Sequence, residues 1–299
     1  MKFSFWTGPG NSWNDLLALG QHADKTGWDG LWFADHFMPN TAEAAGPTAE
    51  CWTTLAAWAA TVPRVRLGAL VTGNTYRHPA VLANMAANVD NISGGRVVLG
   101  LGAGWQENEH QKYGIPFYTL KERMDRLEEA CQVVKGLLGG ERATFSGHHY
   151  QLDDAPNEPK PAQSPLPLLI GGGGEKRTMR IAAKYADEWN VWGTPEILAQ
   201  KGQVLEKHCA DLGRDPKEIR RSAQALLFLT DDASVVERAR QGGRPVIAGN
   251  VEQVSETVAA YRDAGVDEII IPDFSLGREL GAKKQVMDTF IAEVAPAFR

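Results

Sequence analysis

Eight times along the chain a short apolar run is followed by a segment patterned as a helix, and this alternation limits the folds available. Strands separated by helical crossovers run parallel, with the crossovers right-handed. The runs fall at residues 2–6, 30–34, 64–71, 97–99, 168–170, 188–191, 222–229 and 268–271. Eight such units close a parallel barrel, so the expected fold is a single α/β (β/α)8 TIM barrel spanning residues 1–299. An open doubly wound sheet would need a second domain boundary, and no low-complexity linker marks one. Residues 140–167 break the rhythm with a short hairpin turning at Gly147 and a proline-rich run, as an insertion on the rim between strands 4 and 5.

Punctuation between the runs supports this order. Gly27 stops a helix over 13–25, and Pro79 suits the first turn of a helix whose Val81, Leu82, Met85, Val89 and Ile92 form an apolar stripe. Gly94-Gly95 ends that helix. Helices are expected over 123–138, 175–185 and 195–212, and 230–248 is less regular. Asn250 with Gln253 forms a capping box, and a helix over 284–298 closes the chain.

The 299 residues are 43% apolar and 23% charged, with a net charge of −6 and no basic cluster. That disfavours nucleic acid and anionic membranes as partners. Cys51, Cys131 and Cys209 are scattered, without C-x-x-C spacing, which fits a reducing cytoplasm and no metal site. No apolar run has the length of a signal peptide or a membrane span.

In a parallel barrel the chemistry sits at the C-terminal ends of the strands. The stretch Arg96 to His110, RVVLGLGAGWQENEH, ends a strand in the ladder Gly100, Gly102, Gly104, where a backbone without side chains can approach a ligand. Trp105 follows, and with Trp6 and Trp192 it is an aromatic placed to wall a ligand. The G-x-G-x-G spacing, with no acidic strand end twenty residues on, does not match a nicotinamide fingerprint. Gly171 to Gly174 run toward a helix start, which makes either a phosphate cradle or a plain tight turn. Asp35-His36 is either acid–base machinery or a structural pair. Glu107 and Glu109, two apart, do not face each other across a sugar as a glycosidase pair would, and they read as solvated or capping residues.

Together, FADHF (33–37), LVTGNTYRHPAVLA (70–83), ISGGRVVLGLGAGWQENEH (92–110), LLIGGGGEKRTMRIAAKYADEWN (168–190) and AGVDEIIIP (264–272) form a recognisable set. With them the whole chain resembles the luciferase-like monooxygenase superfamily, and more closely its branch of coenzyme F420-dependent oxidoreductases. The resemblance implies a deazaflavin lying across the barrel mouth and hydride transfer to or from a small organic substrate. It implies that Thr72, Gly73 and Asn74 belong to a bulge behind the ring, with a non-prolyl cis peptide at Gly73–Asn74. Asp35 and His36 match positions at the ring's polar edge, with His36 nearest a moving proton. Gly102, Ala103, Gly104, Trp105 and Asn108 match the segment that holds the ring and its side chain, and Gly173, Gly174 and Glu175 the phosphate turn. A homodimer is implied as well. Trp105 departs from the sugar-phosphate dehydrogenases of the branch, which carry a carboxylate there. FMN-dependent monooxygenation, or cofactor binding with little turnover, are the alternatives.

Overall fold

The computed structural model describes residues 1–299. Eight strands form the ring of its main sheet: β1 (Lys2–Thr7), β2 (Gly30–Phe33), β3 (Arg66–Ala69), β4 (Val97–Gly102), β5 (Leu168–Gly171), β6 (Glu188–Trp192), β7 (Arg220–Gln224) and β8 (Glu268–Pro272), and the two-residue strand Thr72–Gly73 adds to β4. Their order is β3-β2-β1-β8-β7-β6-β5-β4, and β3 pairs again with β4, which closes the ring of a (β/α)8 barrel. The pairings β1–β8, β7–β8, β6–β7, β4–β5 and β3–β4 are all parallel. All six residues of β4 are buried, as expected for a strand covered on both faces. No helix is long and apolar enough to cross a membrane.

Backbone contacts group the chain into two compact units: Pro9–Ser12 with Phe33–Gly171, and Met1–Gly8 with Trp13–Trp32 and Gly172–Arg299. In the first, Phe33 meets Trp58 edge-on at 5.4 Å, and Arg96 donates to the carbonyls of Ser93, Val65 and Ala59, tying two helix ends to the start of β3. Buried Asp90 accepts from the Val97 and Gln163 N–H groups. The insertion is there as expected, an antiparallel hairpin of Arg142–Ser146 with Gln151–Pro156. In the second unit Phe290 stacks on Trp28 at 5.7 Å and meets Phe3 edge-on at 5.2 Å. Glu268, fully buried in β8, accepts from Ser4 Oγ and Trp32 Nε1.

Several expectations are corrected. The run 222–229 is two strands, because after β7 the chain leaves the ring as Leu226–Leu229 and pairs in parallel with Val246–Gly249. Residues 230–248 are therefore regular, with the helix Ala233–Gln241 capped by Asp232. On the helix Pro79–Ser93, Val81 and Ile92 are 55% and 53% exposed, and the buried face is instead Leu82, Ala83, Ala86, Ala87 and Val89. Three of these are small alanines, a signal that a count of large apolar residues passes over. The helix after the glycine run starts at Thr178 rather than at residue 175. At the C-terminus the helix is Leu280–Thr289, widening to a π turn over Phe290–Val294.

Candidate functional site

The ring-side residues of the first unit meet at the end of β4 and in the segments after β2 and β3. After Ala69 the chain makes a cis peptide at Leu70–Val71 and then a two-residue strand, Thr72–Gly73, which also pairs with β4. The non-prolyl cis bond thus lies at Leu70–Val71 and not at Gly73–Asn74. The Val71 side chain fills the space where other residues would carry a Cβ: one built on Gly102 would lie 2.7 Å from Val71 Cγ2, and one on Gly171 equally close to Cγ1. A Cβ on Gly100 would strike the Ala69 carbonyl, and one on Gly104, at φ +78°, would lie 2.6 Å from Thr75 Oγ1. The ladder therefore exists first for the close approach of the chain around Val71, not for a ligand directly.

Polar side chains lock this bulge. Asp35 is 1% exposed and takes both nitrogens of Arg77, at 2.6 and 3.0 Å, together with the Gly73 N–H. Burial pushes the Asp35 carboxyl up and the Arg77 guanidinium opposes it; facing a permanent cation bidentately, we assign it as carboxylate. The same guanidinium reaches Glu50, which caps the helix Cys51–Thr61. Asp35 is thus committed inside the protein, where it fixes the Gly73 backbone. Thr72, fully buried, accepts from Trp52 Nε1. Asn74 is 3% exposed and donates to Tyr150 Oη, and its Oδ1 accepts nothing.

The second polar group centres on Glu109, expected to be solvated or capping. It is instead fully buried, while Glu107 is exposed as expected. The helix Glu107–Tyr113 turns Glu109 inward, where it accepts from His36 Nδ1 and the Phe37 N–H, each at 2.8 Å, and from the Tyr76 hydroxyl. Burial disfavours the charged form of Glu109, but these bonds outweigh it and hold the pKa below the ordinary 4.5. Burial, then the Glu109 bond, push the Tyr76 phenol far above its usual range. A carboxylate only accepts, so the His36 proton facing it sits on Nδ1, and Nε2 is left as the ring's acceptor nitrogen. The His36 ring stands edge-on to Trp105, 5.5 Å away, and Trp105 is 60% exposed. Asn108 donates to the Pro39 carbonyl while its buried Oδ1 is unpartnered. Ala103 lies in the connection after β4, and the Gly104 carbonyl accepts from Arg123.

In the second unit Gly172, at φ +123°, donates to the Asn190 carbonyl and accepts from Trp189 Nε1. The N–H groups of Gly173, Gly174 and Glu175 make no hydrogen bond within the protein. Lys201 Nζ lies against this turn, donating to the Gly173 carbonyl at 2.8 Å and to Glu175 at 3.1 Å. Because the helix begins at Thr178, its positive end is not delivered straight to the glycines. Backbone N–H groups and Lys201 supply the positive field instead. Tyr76, Arg77, Glu50 and Lys201 had no signal of their own in the sequence, since each acts through a partner 25 or more residues away.

The family model of luciferase-like monooxygenases matches residues 1–249. An F420-dependent hydroxymycolic acid dehydrogenase of Mycobacterium tuberculosis is 29% identical over 279 residues, 91% of this chain and 76% of that protein. An F420-dependent glucose-6-phosphate dehydrogenase of Amycolatopsis mediterranei is 36% identical over 174 residues, 58% of this chain, which thus matches only half of that protein. Among solved structures, an F420-dependent secondary alcohol dehydrogenase bound to an F420–acetone adduct covers both chains fully, with a TM-score of 0.86 at 22% identity, a likeness of fold. With most of its length matched by the family model, the chain belongs to the luciferase-like monooxygenase family.

Proposed function

We propose that this protein is a coenzyme F420-dependent oxidoreductase that passes a hydride between the deazaflavin and a small organic substrate, with His36 moving the accompanying proton. The observation that carries this reading is the His36–Glu109 pair, with Nδ1 tied down and Nε2 left to exchange. The F420 dependence of the two dehydrogenase relatives supports the choice of cofactor over FMN.

The residues present fit such a cofactor. Asn74 Oδ1 and Asn108 Oδ1 are buried acceptors without partners, suited to the N–H and hydroxyl groups of a polar ring and its side chain. Val71 supplies an apolar backing, and Gly102, Ala103, Gly104 and Trp105 bring backbone and an exposed indole to the same strand end. Gly173, Gly174 and Glu175 offer unengaged N–H groups for a phosphate, with Lys201 adding charge. When bound, F420 would supply a ring carbon that accepts or gives a hydride.

Each of the chain's own groups then has a task. Asp35 and Arg77 hold Gly73 and so the bulge carrying Val71. Glu109 orients the His36 imidazole so that Nε2 takes a proton from a substrate hydroxyl. In the reverse direction His36 gives that proton back. Cytoplasmic action as a homodimer belongs to the same reading; all three cysteines are free and buried, which suits a reducing compartment.

The test uses His36→Ala and a panel of alcohols and ketones in an F420-coupled assay. The variant is expected to bind F420 as the wild type does and to turn over about 100-fold more slowly or worse. Full activity with normal binding would remove His36 from the mechanism.

A further inference from the structure

The second unit holds a group of side chains that the proposed cofactor site does not use. Trp6 stands near the end of β1, Trp192 is the last residue of β6, and Phe274 lies two residues beyond β8. Their rings pack edge to face, Trp6 to Trp192 at 6.0 Å and Trp6 to Phe274 at 5.8 Å. Gln224, the last residue of β7, pairs in register with Trp192. The two-residue period of a strand puts Trp192 on the face of Asn190 and Gln224 on the face of Ser222. Those two lower residues are hydrogen-bonded to each other at 2.9 Å, so Trp192 and Gln224 form the next layer above a satisfied one. That layer lies at the C-terminal ends of the strands, where barrels of this kind carry their sites.

What sets the layer apart is how much of it is unmet. Gln224 is 5% exposed, yet its Oε1 accepts no hydrogen bond, and the buried Nε1 of Trp6 donates to nothing. Buried polar atoms are nearly always paired in a finished core. Phe274 is 49% exposed, well outside the range of a packing residue. Arg244, on the exposed loop before Val246–Gly249, holds its guanidinium carbon 5.6 Å from the Trp192 ring and 5.5 Å from the Phe274 ring. No carboxylate pairs with it. An aromatic wall, a cation fixed over it with donors to spare, and an orphan acceptor beneath describe the complement of one kind of molecule.

We infer that Trp6, Trp192, Phe274, Gln224 and Arg244 bind a planar aromatic acid, as the recognised end of the substrate. The rings offer edge and face contacts to a second flat π-system. Arg244 meets the carboxylate with its planar fork, while its stacking on two rings limits the freedom it loses on binding. Gln224 Oε1 accepts from a hydroxyl on the ligand. Only the word substrate rests on the proposed F420-dependent reaction; the binding site stands on its own geometry.

The probe is 6-hydroxy-2-naphthoate, titrated calorimetrically into the full-length protein without cofactor. Parallel titrations use neutral 2-naphthol and the non-aromatic cyclohexanecarboxylate. Arg244 and Phe274 are exposed, so Arg244→Ala and Phe274→Ala leave the core intact. The expected result is saturable one-to-one binding of the naphthoate, with both comparison compounds at least about tenfold weaker. Arg244→Ala is expected to abolish the preference for the acid over 2-naphthol, and Phe274→Ala to weaken both aromatics together. Separate titration with F420 is expected to give the same affinity in wild type and Arg244→Ala. Equal binding of acid and naphthol by the wild type, or an unchanged naphthoate affinity in Arg244→Ala, overturns the proposal. So does a loss of F420 affinity in that variant, which would give the cation to the cofactor's own anionic groups. Naphthoate binding by a protein that binds no F420 would sink the cofactor reading and leave this site standing.

Discussion

Around His36 the buried charged side chains have found partners within the protein, and only the amide oxygens of Asn74 and Asn108 are left open. Asp35 holds Arg77 and Gly73, Glu50 takes the rest of Arg77, and Glu109 gathers His36, Phe37 and Tyr76. Around Trp192 the polar groups are left open: Gln224 Oε1 and Trp6 Nε1 have no partner, and Arg244 touches only rings. Low dielectric makes a fully satisfied network stiff and an unsatisfied one costly, so the two regions are suited to different work. A stiff network fixes the position of a reacting group, whereas open groups await a ligand that completes them. On the proposed reading, the first region suits a reacting group and the second suits the binding of a ligand.

The comparison breaks most readily at Asp35. Asp35→Ala leaves the half-buried Arg77 guanidinium with Glu50 alone and is expected to cost about 3–5 kcal/mol in urea unfolding, the range for breaking a buried pair from one side. A loss under 1 kcal/mol would mean that the first region is not rigidly locked. Gly102→Ala comes next, because its Cβ would lie 2.7 Å from Val71 Cγ2. Overpacking of this kind costs about 1–3 kcal/mol, and F420 affinity should fall as the Val71 backing shifts.

Glu109→Gln tests the same network through pH. The folded pKa of Glu109 lies below the ordinary 4.5, so its carboxylate stabilises the protein above that value. That contribution is lost as pH falls through the lowered folded pKa. Wild type should therefore exceed the variant by about 1–3 kcal/mol at neutral pH, with the gap closing below pH 4.5. A gap independent of pH would show that charge is not what Glu109 contributes. The smallest effect is expected from Lys201→Ala: F420 affinity down a few-fold, more at low ionic strength, with unfolding changed by about 0.5 kcal/mol or less. A large stability loss there would make Lys201 a brace for the turn rather than a phosphate ligand.

The strand starts and the eightfold order were legible because each depends on a local apolar run and a local stop, as at Gly27 and Pro79. What escaped depended on partners distant in the chain. Glu109 looks like any surface carboxylate in QENEH until the fold brings His36, 73 residues earlier, within 2.8 Å. The glycine ladder was visible, but its neighbour was not, since nothing in LVTGNT marks the segment from Ala69 to Thr75 as the one those glycines admit. The cis bond at Leu70–Val71 leaves no sequence mark without proline, and the resemblance placed it three residues late. The split of 222–229 into two strands was hidden because SAQALLFL carries no Gly or Pro to mark where one sheet ends and the next begins.

On the proposed reading, the stiff network around His36 serves a deazaflavin. Titration of the purified protein with F420 and, separately, with FMN, followed by fluorescence quenching and calorimetry, tests it most directly. Micromolar or tighter binding of F420 is expected, with FMN at least about tenfold weaker, a difference of about 1.4 kcal/mol. Tight FMN binding, or a protein that purifies with flavin bound, would contradict it and move the chain to the oxygen-using side of its family.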